Sequence, residues 1–314
     1  MRKRNIWLDC DPGIDDAVAI ALAAASQDKL KIHGISTVAG NQTSERVTDN
    51  ALKLTMFLGL NEVPVVRGAR GPLVRKMELA DHVHGKTGLG NYELPETTKK
   101  LTSENGIQYM WEYIMQLPDN EKITLVATGP LTNIALLFKV FPDVLEKVEE
   151  VVIMGGSSVG GNVTPTAEFN AWADPEAAKI VYNTGVSIVM CGLDVTNQCG
   201  LNRKQVNMLL NSDRTVEHAY GEMLTFYFDS PAYENSEIVC IHDAVTVLYL
   251  TNRELFQGTY VTVDVDCTAD INRGMTVCDM RKNINHENCN VLLLNQVDLP
   301  ALQDAIMEKF NYFQ

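Results

Sequence analysis

An α/β fold built on an open, mostly parallel sheet with helices on both faces is what this 314-residue sequence predicts. Short β-forming runs alternate with helical stretches through the first two-thirds of the chain, the pattern of parallel strands joined by crossover helices. The chain is long enough to bury about three-quarters of its surface, and its 46% hydrophobic and 21% charged content is ordinary for a globular protein. No internal repeat, low-complexity linker or charged tail divides it, so residues 1–314 are read as one domain.

Asn5 to Leu8 reads as the first strand, followed by an Ala-rich helix from Asp15 to Ser26. Ile32 to Val38 is a second strand, with a helix after it over about 44–58. Ile123 to Ala127, Val151 to Met154 and Ser187 to Cys191 are three more apolar strands, separated by helices over about 131–148 and 175–184. The latter opens on Asp174-Pro175-Glu176, an N-cap followed by proline at the first helical position. Residues 202–229 read as mostly helical. Thr259 to Asp266 is rich in β-formers and alternates in its second half, so it is a strand; Val291 to Leu294 is another, and Pro300 to Phe313 the closing helix.

With 26 Lys+Arg against 40 Asp+Glu the formal charge is −14. That argues against nucleic acid as a partner, because phosphate contact is dominated by Lys and Arg. Seven cysteines, an odd number with no CxxC pair, read as thiols in a reducing compartment. The basic start is followed by an apolar stretch broken at Asp9, too short for a secretory signal. The longest apolar run, Ala17 to Ala25, falls far below the ~20 residues of a membrane span. A cytoplasmic enzyme is expected, with no membrane partner.

The sharpest feature is Asp9-Cys10-Asp11-Pro12-Gly13-Ile14-Asp15-Asp16, directly after the first strand. These carboxylates repel one another, and a bound cation removes the conflict. The place, outside the C-terminal end of a parallel strand, is where such sheets hold ligands. Oxygen-only donors select a hard ion, Ca²⁺ or Mg²⁺. The spacing is not an EF-hand, which needs Gly and Glu where Ile14 and Ile20 stand. An aspartyl-phosphate phosphatase reading meets Gly13 where Thr or Val is usual. Gly85-Lys86-Thr87 lacks the upstream P-loop glycine, which is Ala80 here, and Gly155 to Gly161 lacks the dinucleotide spacing. That second segment reads instead as a loop after a strand, carrying Asn162, Glu168 and Asn170, groups suited to sugar hydroxyls. His242-Asp243 ends a buried apolar run, so its adjacent side chains diverge towards an ion and across a cleft.

The acidic segment resembles the amino-terminal signature of the nucleoside hydrolases of the inosine–uridine-preferring type. The likeness continues in order through Val38-Ala-Gly-Asn-Gln-Thr43, His82-Val-His-Gly85, Ala127-Thr-Gly-Pro-Leu-Thr-Asn133, Met154-Gly-Gly156, Ala167-Glu-Phe-Asn170, Asp174-Pro-Glu-Ala-Ala178 and Ile241-His-Asp243. The resemblance implies a Rossmann-like, open α/β nucleoside hydrolase fold. It also implies one Ca²⁺ held by Asp11, Asp16, Asp243 and the carbonyl of Thr128. Asp15, Asn41, Asn162, Glu168 and Asn170 then bind the ribose, with Met154 beneath it. Asp11 is the general base towards the water, His242 assists departure of the base, and His84 lies near it. The implied reaction is hydrolysis of the N-glycosidic bond of ribonucleosides such as inosine and uridine, releasing ribose and a purine or pyrimidine base. The family forms homodimers and homotetramers. A sugar- or nucleoside-binding protein without turnover is the non-enzyme alternative, but every matched position is filled. Phe226, Tyr227, Phe228 and Tyr233 are candidates for the family's aromatic residues before the His-Asp pair, and Trp172 for either core or cleft.

Overall fold

The computed structural model describes residues 3–90, 92–268, 271–281 and 289–313; Met1 and Arg2 of the basic start lie outside them. β1 (Arg4–Cys10) leads into α1 (Ile14–Ala24), β2 (Leu30–Thr37), α2 (Ser44–Phe57) and the edge strand β3 (Val65–Arg67). After α3 (Asp81–His84) and α4 (Gly106–Met115) the chain resumes on the other side of β1. There it forms β4 (Ile123–Ala127), α5 (Thr132–Val140), β5 (Val148–Met154), α6 (Phe169–Ala173), α7 (Pro175–Tyr182) and β6 (Ile188–Cys191). A helical segment follows: α8 (Leu193–Thr196), β7 (Gly200–Asn202), α9 (Arg203–Leu210), α10 (Thr215–Phe228), β8 (Ile238–Cys240) and α11 (Ala244–Thr251). The chain ends with β9 (Phe256–Val261), β10 (Val263–Val265), β11 (Thr276–Cys278), β12 (Val291–Val297) and α12 (Leu299–Phe310).

The main sheet has eight strands in the order β3-β2-β1-β4-β5-β6-β12-β9. All neighbours are parallel except β9, which runs antiparallel to β12. The α/β reading is therefore correct. The strand order reverses direction at β1, so a crevice opens between the carboxyl ends of β1 and β4, the topological switch point where sheets of this kind bind ligands. Among the described residues no helix is long and apolar enough to cross a membrane.

Alternation along β1 feeds both cores. Ile6, Leu8 and Cys10 pack with α1, while Trp7 points to the opposite face and packs with Leu125 and Ala127. α1 is buried along its whole length, from Ile14 to Ala24, because α10, α11 and α12 close around it. Its alanines let those helices approach closely, and the buried Tyr220 hydroxyl donates to Ala17 O at 2.8 Å.

Several boundaries differ from the sequence reading. The helix expected over 131–148 stops at Val140, and a 3₁₀ turn covers Pro142–Glu146. Pro142 has no amide to donate and biases Phe141 out of the helical region, where it sits at φ −129°, ψ 67°. The stretch 202–229 is two helices, α9 and α10, parted at Asn211–Arg214, where the Ser212 hydroxyl takes the Arg214 amide at 3.2 Å. Thr259–Asp266 is not one strand: β9 extends the main sheet, and β10 turns away to pair with β11. The short β3 and the almost wholly buried α11 carry little periodic signal, while α4 buries Gly106, Met110 and Ile114 four residues apart; none of the three is among the elements expected from the sequence.

His33 on β2 gives this fold a pH signature. Its ring is 3% exposed, with Nε2 2.9 Å from Asn5 Oδ1 and Nδ1 3.2 Å from Tyr113 Oη. Burial, then the nearby Lys31, pushes the imidazole down to about 4. In the unfolded chain it returns to about 6.5. Below that pH the unfolded state takes up a proton that the folded state refuses, so this stabilisation is complete above about 6.5 and lost as pH falls to about 4. In urea titrations at about pH 7, 5.5 and 4.5, the stability advantage of the wild type over His33→Gln is expected to narrow with falling pH. A constant difference across that range would contradict the assignment.

Candidate active site

The turn after β1 places its carboxylates by backbone contacts. Asp16, in the first turn of α1, accepts from the amides of Asp11 at 3.3 Å and Gly13 at 3.0 Å. It also accepts from Asn41 Nδ2 at 3.1 Å and Thr128 Oγ1 at 2.7 Å, which ties together the ends of β1, β2 and β4. Asp11 Oδ2 takes the Asn41 amide at 2.6 Å. The other Asp11 oxygen, Oδ1, is buried with no hydrogen-bond partner. Two glycines make room for this carboxylate: a Cβ on Gly129 would lie 2.6 Å from Oδ1, and one on Gly40 would collide with Oδ2. Behind them, Asp9 is fully buried and accepts from Ser36 Oγ and, at 2.7 Å, from Asn133 Nδ2.

Asp243, at the start of α11, completes the acidic group. One carboxylate oxygen each from Asp15, Asp16 and Asp243 lies within 4.8 Å of the others. Burial raises all three carboxyls above their ordinary range, as it does Asp11. Mutual repulsion adds to burial: Asp16 acts on Asp11, Asp15 on Asp16, and Asp15, Asp16 and Asp11 on Asp243. The donor set consists of oxygens, one of them a buried orphan, and the charges oppose one another. This arrangement fits a hard divalent cation, which reverses the electrostatic conflict. The triad brought together differs in one member from the expected ligands: Asp15 stands beside Asp16 and Asp243, and Asp11 adjoins them through its amide on Asp16.

Above the acids is a cavity of about 480 Å³. Asp15, Asn41, His84, Thr128, Met154, Asn162, Glu168, Asn170, His242 and Asp243 all line it. Asp11 and Asp16 are fully buried and reach it through their bonds to Asn41 and Thr128. Glu168 caps α6, accepting from the amides of Asn170 at 2.8 Å, Ala171 at 3.1 Å and Gly156 at 2.8 Å. Burial raises its carboxyl, and those amides partly offset the rise. Asn170 Nδ2 donates to the carbonyls of Thr128 at 2.8 Å and Met154 at 3.0 Å. Asn162 is exposed, and its Oδ1 accepts the Phe169 amide at 3.0 Å.

One wall of the cavity, beside Asp15, is aromatic. Tyr227 and Tyr233 stack with centroids 5.8 Å apart. Tyr227 Oη lies 2.9 Å from His84 Nδ1 and 3.3 Å from Asp15 Oδ1. The Ile14 amide points at the same His84 nitrogen at 3.3 Å, which makes Nδ1 the acceptor and places the ring proton on Nε2. His242 Nδ1 is 2.9 Å from Thr196 Oγ1; burial lowers this imidazole and the Asp15 carboxylate partly offsets it. Of the four aromatic candidates, Phe226 packs against Gly85 and Gly90 and Phe228 lies under Arg203, so neither lines the cavity. Trp172 stacks on the Arg273 guanidinium at 4.1 Å, outside the cavity lining. Phe169, Asn197 and Cys240 line it without having been singled out in the sequence. Cys240 ends β8, where position after an apolar run was the available signal; Asn197 caps the single turn α8 and carries no such signal.

The sequence profile of the family described as "Inosine-uridine preferring nucleoside hydrolase" matches residues 6–304. A "Pyrimidine-specific ribonucleoside hydrolase RihA" of Photobacterium profundum is 38% identical over 314 residues, covering 99% of this chain and all of that protein. A solved "Plant nucleoside hydrolase" superposes with a TM-score of 0.89 at 30% identity, over 98% of this chain and 99% of that one. A "Purine-Preferring Ribonucleoside Hydrolase" from Gardnerella vaginalis reaches the same TM-score of 0.89 at 28% identity, over 98% of each chain.

If a cation relieves the repulsion among these carboxylates, its binding must stabilise the fold. After chelator treatment, a divalent cation at about a hundred times its dissociation constant adds about 2.7 kcal/mol, which for a chain of this size is roughly 5 °C in Tm. Differential scanning calorimetry with Ca²⁺, Mg²⁺ and Mn²⁺ in turn is expected to show such a shift for at least one ion. The shift is expected to vanish in Asp16→Asn/Asp243→Asn; the same shift in that variant would place the ion elsewhere.

Proposed function

Because the chain belongs to the inosine-uridine preferring nucleoside hydrolase family and is a ribonucleoside hydrolase, we propose that its cavity cleaves the N-glycosidic bond with the aid of Ca²⁺, and that pyrimidine ribonucleosides are the favoured substrates. What carries this reading is one cavity that gathers a buried acidic cluster, amides and a further carboxylate along its wall, and two histidines beside the acids, with His84 Nδ1 4.0 Å from Asp15 Oδ1. The ion is assigned to Asp11, Asp16, Asp243 and the Thr128 carbonyl, all oxygen donors. When bound, it supplies the Lewis acidity that makes water a competent nucleophile near neutral pH.

The remaining work belongs to the chain's own side chains. Asp15, Asn41, Asn162, Glu168 and Asn170 bind the ribose hydroxyls, with Met154 below the sugar; amides donate and accept, and carboxylates accept. Asp11 takes the proton from the attacking water, a role supported by its unpartnered Oδ1. The same negative groups favour the positive charge that develops on the sugar as the bond to the base breaks. His242 gives a proton to the departing base so that it need not leave as an anion. His84, held by Tyr227, lines the same cavity and serves as a second hydrogen-bonding group for the base.

The pyrimidine preference rests on the relatives described as pyrimidine-specific at up to 38% identity over nearly the whole chain. Residues 1–314 are taken as one domain, in keeping with a single main sheet that draws strands from Arg4–Cys10 to Val291–Val297. A cytoplasmic, homo-oligomeric enzyme completes the proposal.

Reducing-sugar release in phosphate-free buffer tests the reaction, since no phosphate is present to support a phosphorylase. Release from uridine and cytidine ahead of inosine and adenosine is expected; no release from any of the four by folded, Ca²⁺-loaded protein would sink the proposal. Asp11→Ala is expected to lower kcat by at least about 10³-fold with an unchanged circular dichroism spectrum, and His242→Ala by about 10²- to 10⁴-fold. A folded Asp11→Ala enzyme with near-native turnover would remove Asp11 from its assigned role.

A further inference from the structure

We propose that Thr196 is the positioning residue for His242, its hydroxyl holding Nδ1–H so that Nε2 is the nitrogen that exchanges a proton with the departing base. The inference rests on the reading of His242 as the group that assists base departure. Thr196 is fully buried at the end of α8, a single turn that starts at Gly192 directly after β6. Its amide donates to Gly192 O at 3.0 Å, and the amide of Cys199 donates to the Thr196 carbonyl at 3.0 Å, so its backbone is held on both sides. The next residues form β7, which pairs antiparallel with β8 through Gly200 and Cys240, and the Ile241 amide donates to Cys199 O at 3.0 Å. This short ladder sets the separation between residues 196 and 242 and places Thr196 Oγ1 2.9 Å from His242 Nδ1.

The chemistry follows from the inventory of the two groups. A hydroxyl oxygen accepts, and an imidazole in use as an acid carries hydrogens on both nitrogens. With Nδ1–H donating to Thr196 Oγ1, the Nε2–H bond is the one that breaks as the proton passes to the base. The neutral ring that remains keeps its proton on Nδ1, still bonded to the same hydroxyl. Thr196 thus serves both states without moving. Valine has the same shape and no acceptor, so it leaves Nδ1–H buried and unpaired and frees the ring to turn.

The test compares two substrates that share a sugar and differ in leaving group. Uridine needs its base protonated; 4-nitrophenyl β-D-ribofuranoside releases an anion that is stable near neutral pH and needs no acid. Thr196→Val is expected to lower kcat on uridine by about tenfold or more with KM within about twofold, and to keep the aryl riboside rate within about threefold. Thr196→Ser, which keeps the hydroxyl, restores most of the uridine rate. Thr196→Ala carries the same expectation should the valine variant fail to fold, with thermal melting as the check. Equal losses on both substrates, or no loss on uridine while His242→Ala still separates them, would overturn the role of Thr196. If His242→Ala does not separate the two substrates, the reading of His242 falls, and this inference falls with it.

Discussion

Four carboxylates brought together out of water at the carboxyl ends of β1 and β4 are the constraint on which the rest of this structure depends. Asp11, Asp15, Asp16 and Asp243 are all buried, and repulsion from neighbouring carboxylates adds to the cost of charging Asp11, Asp16 and Asp243. Burying like charges without compensation is strongly unfavourable, so the surrounding chain is organised around them. Backbone amides from two loops point at Asp16 and Asp11, and two glycines let backbone close over Asp11 where any side chain would collide. The parallel sheet supplies the geometry: only at the switch point do loops from both halves of the sheet converge on one place.

How much of this could be read beforehand depends on what each residue signals locally. The acidic turn after β1 was legible because its charges are adjacent in sequence and their conflict is obvious. Strands β1, β4 and β6 were legible as short apolar runs, and α7 by its Asp174-Pro175 start, where the Asp174 side chain does accept the Ala177 amide at 3.1 Å. The failures share a cause. α11 is buried all round and has no polar face to give a period, and β9 and β10 read as one strand because nothing at Thr262 announces a change of sheet. In the site, Cys240 and Asn197 were missed because a single thiol or amide says nothing until tertiary structure turns it towards a cavity.

Two walls of the cavity use their polar groups differently. On the wall formed at α6, the Glu168 oxygens are engaged by three backbone amides, and the Asn170 amide donates to two carbonyls. Such groups are rigid before any ligand arrives, which suits recognition of hydroxyls at fixed positions. On the wall beside Asp15, Tyr227 and Tyr233 present apolar faces with hydroxyl tips, and each histidine is held through Nδ1. Aromatic faces offer apolar area, and an imidazole offers a ring hydrogen.

The same accounting of donors and acceptors supports Asp11, rather than a neighbour, as the base. Asp16 accepts four hydrogen bonds across its two oxygens, so taking a further proton there means displacing a structural donor that holds α1 to β4. Asp15 faces Tyr227 and feels the His242 imidazole, which ties its charge to those two side chains. Asp11 has one oxygen fixed by the Asn41 amide and the other without a partner, both enclosed by glycine backbone. An anchored carboxylate with one idle oxygen can receive a proton without rearranging anything around it. Among the four acids this combination belongs to Asp11, and it follows from two glycines, Gly40 and Gly129, as much as from the aspartate itself.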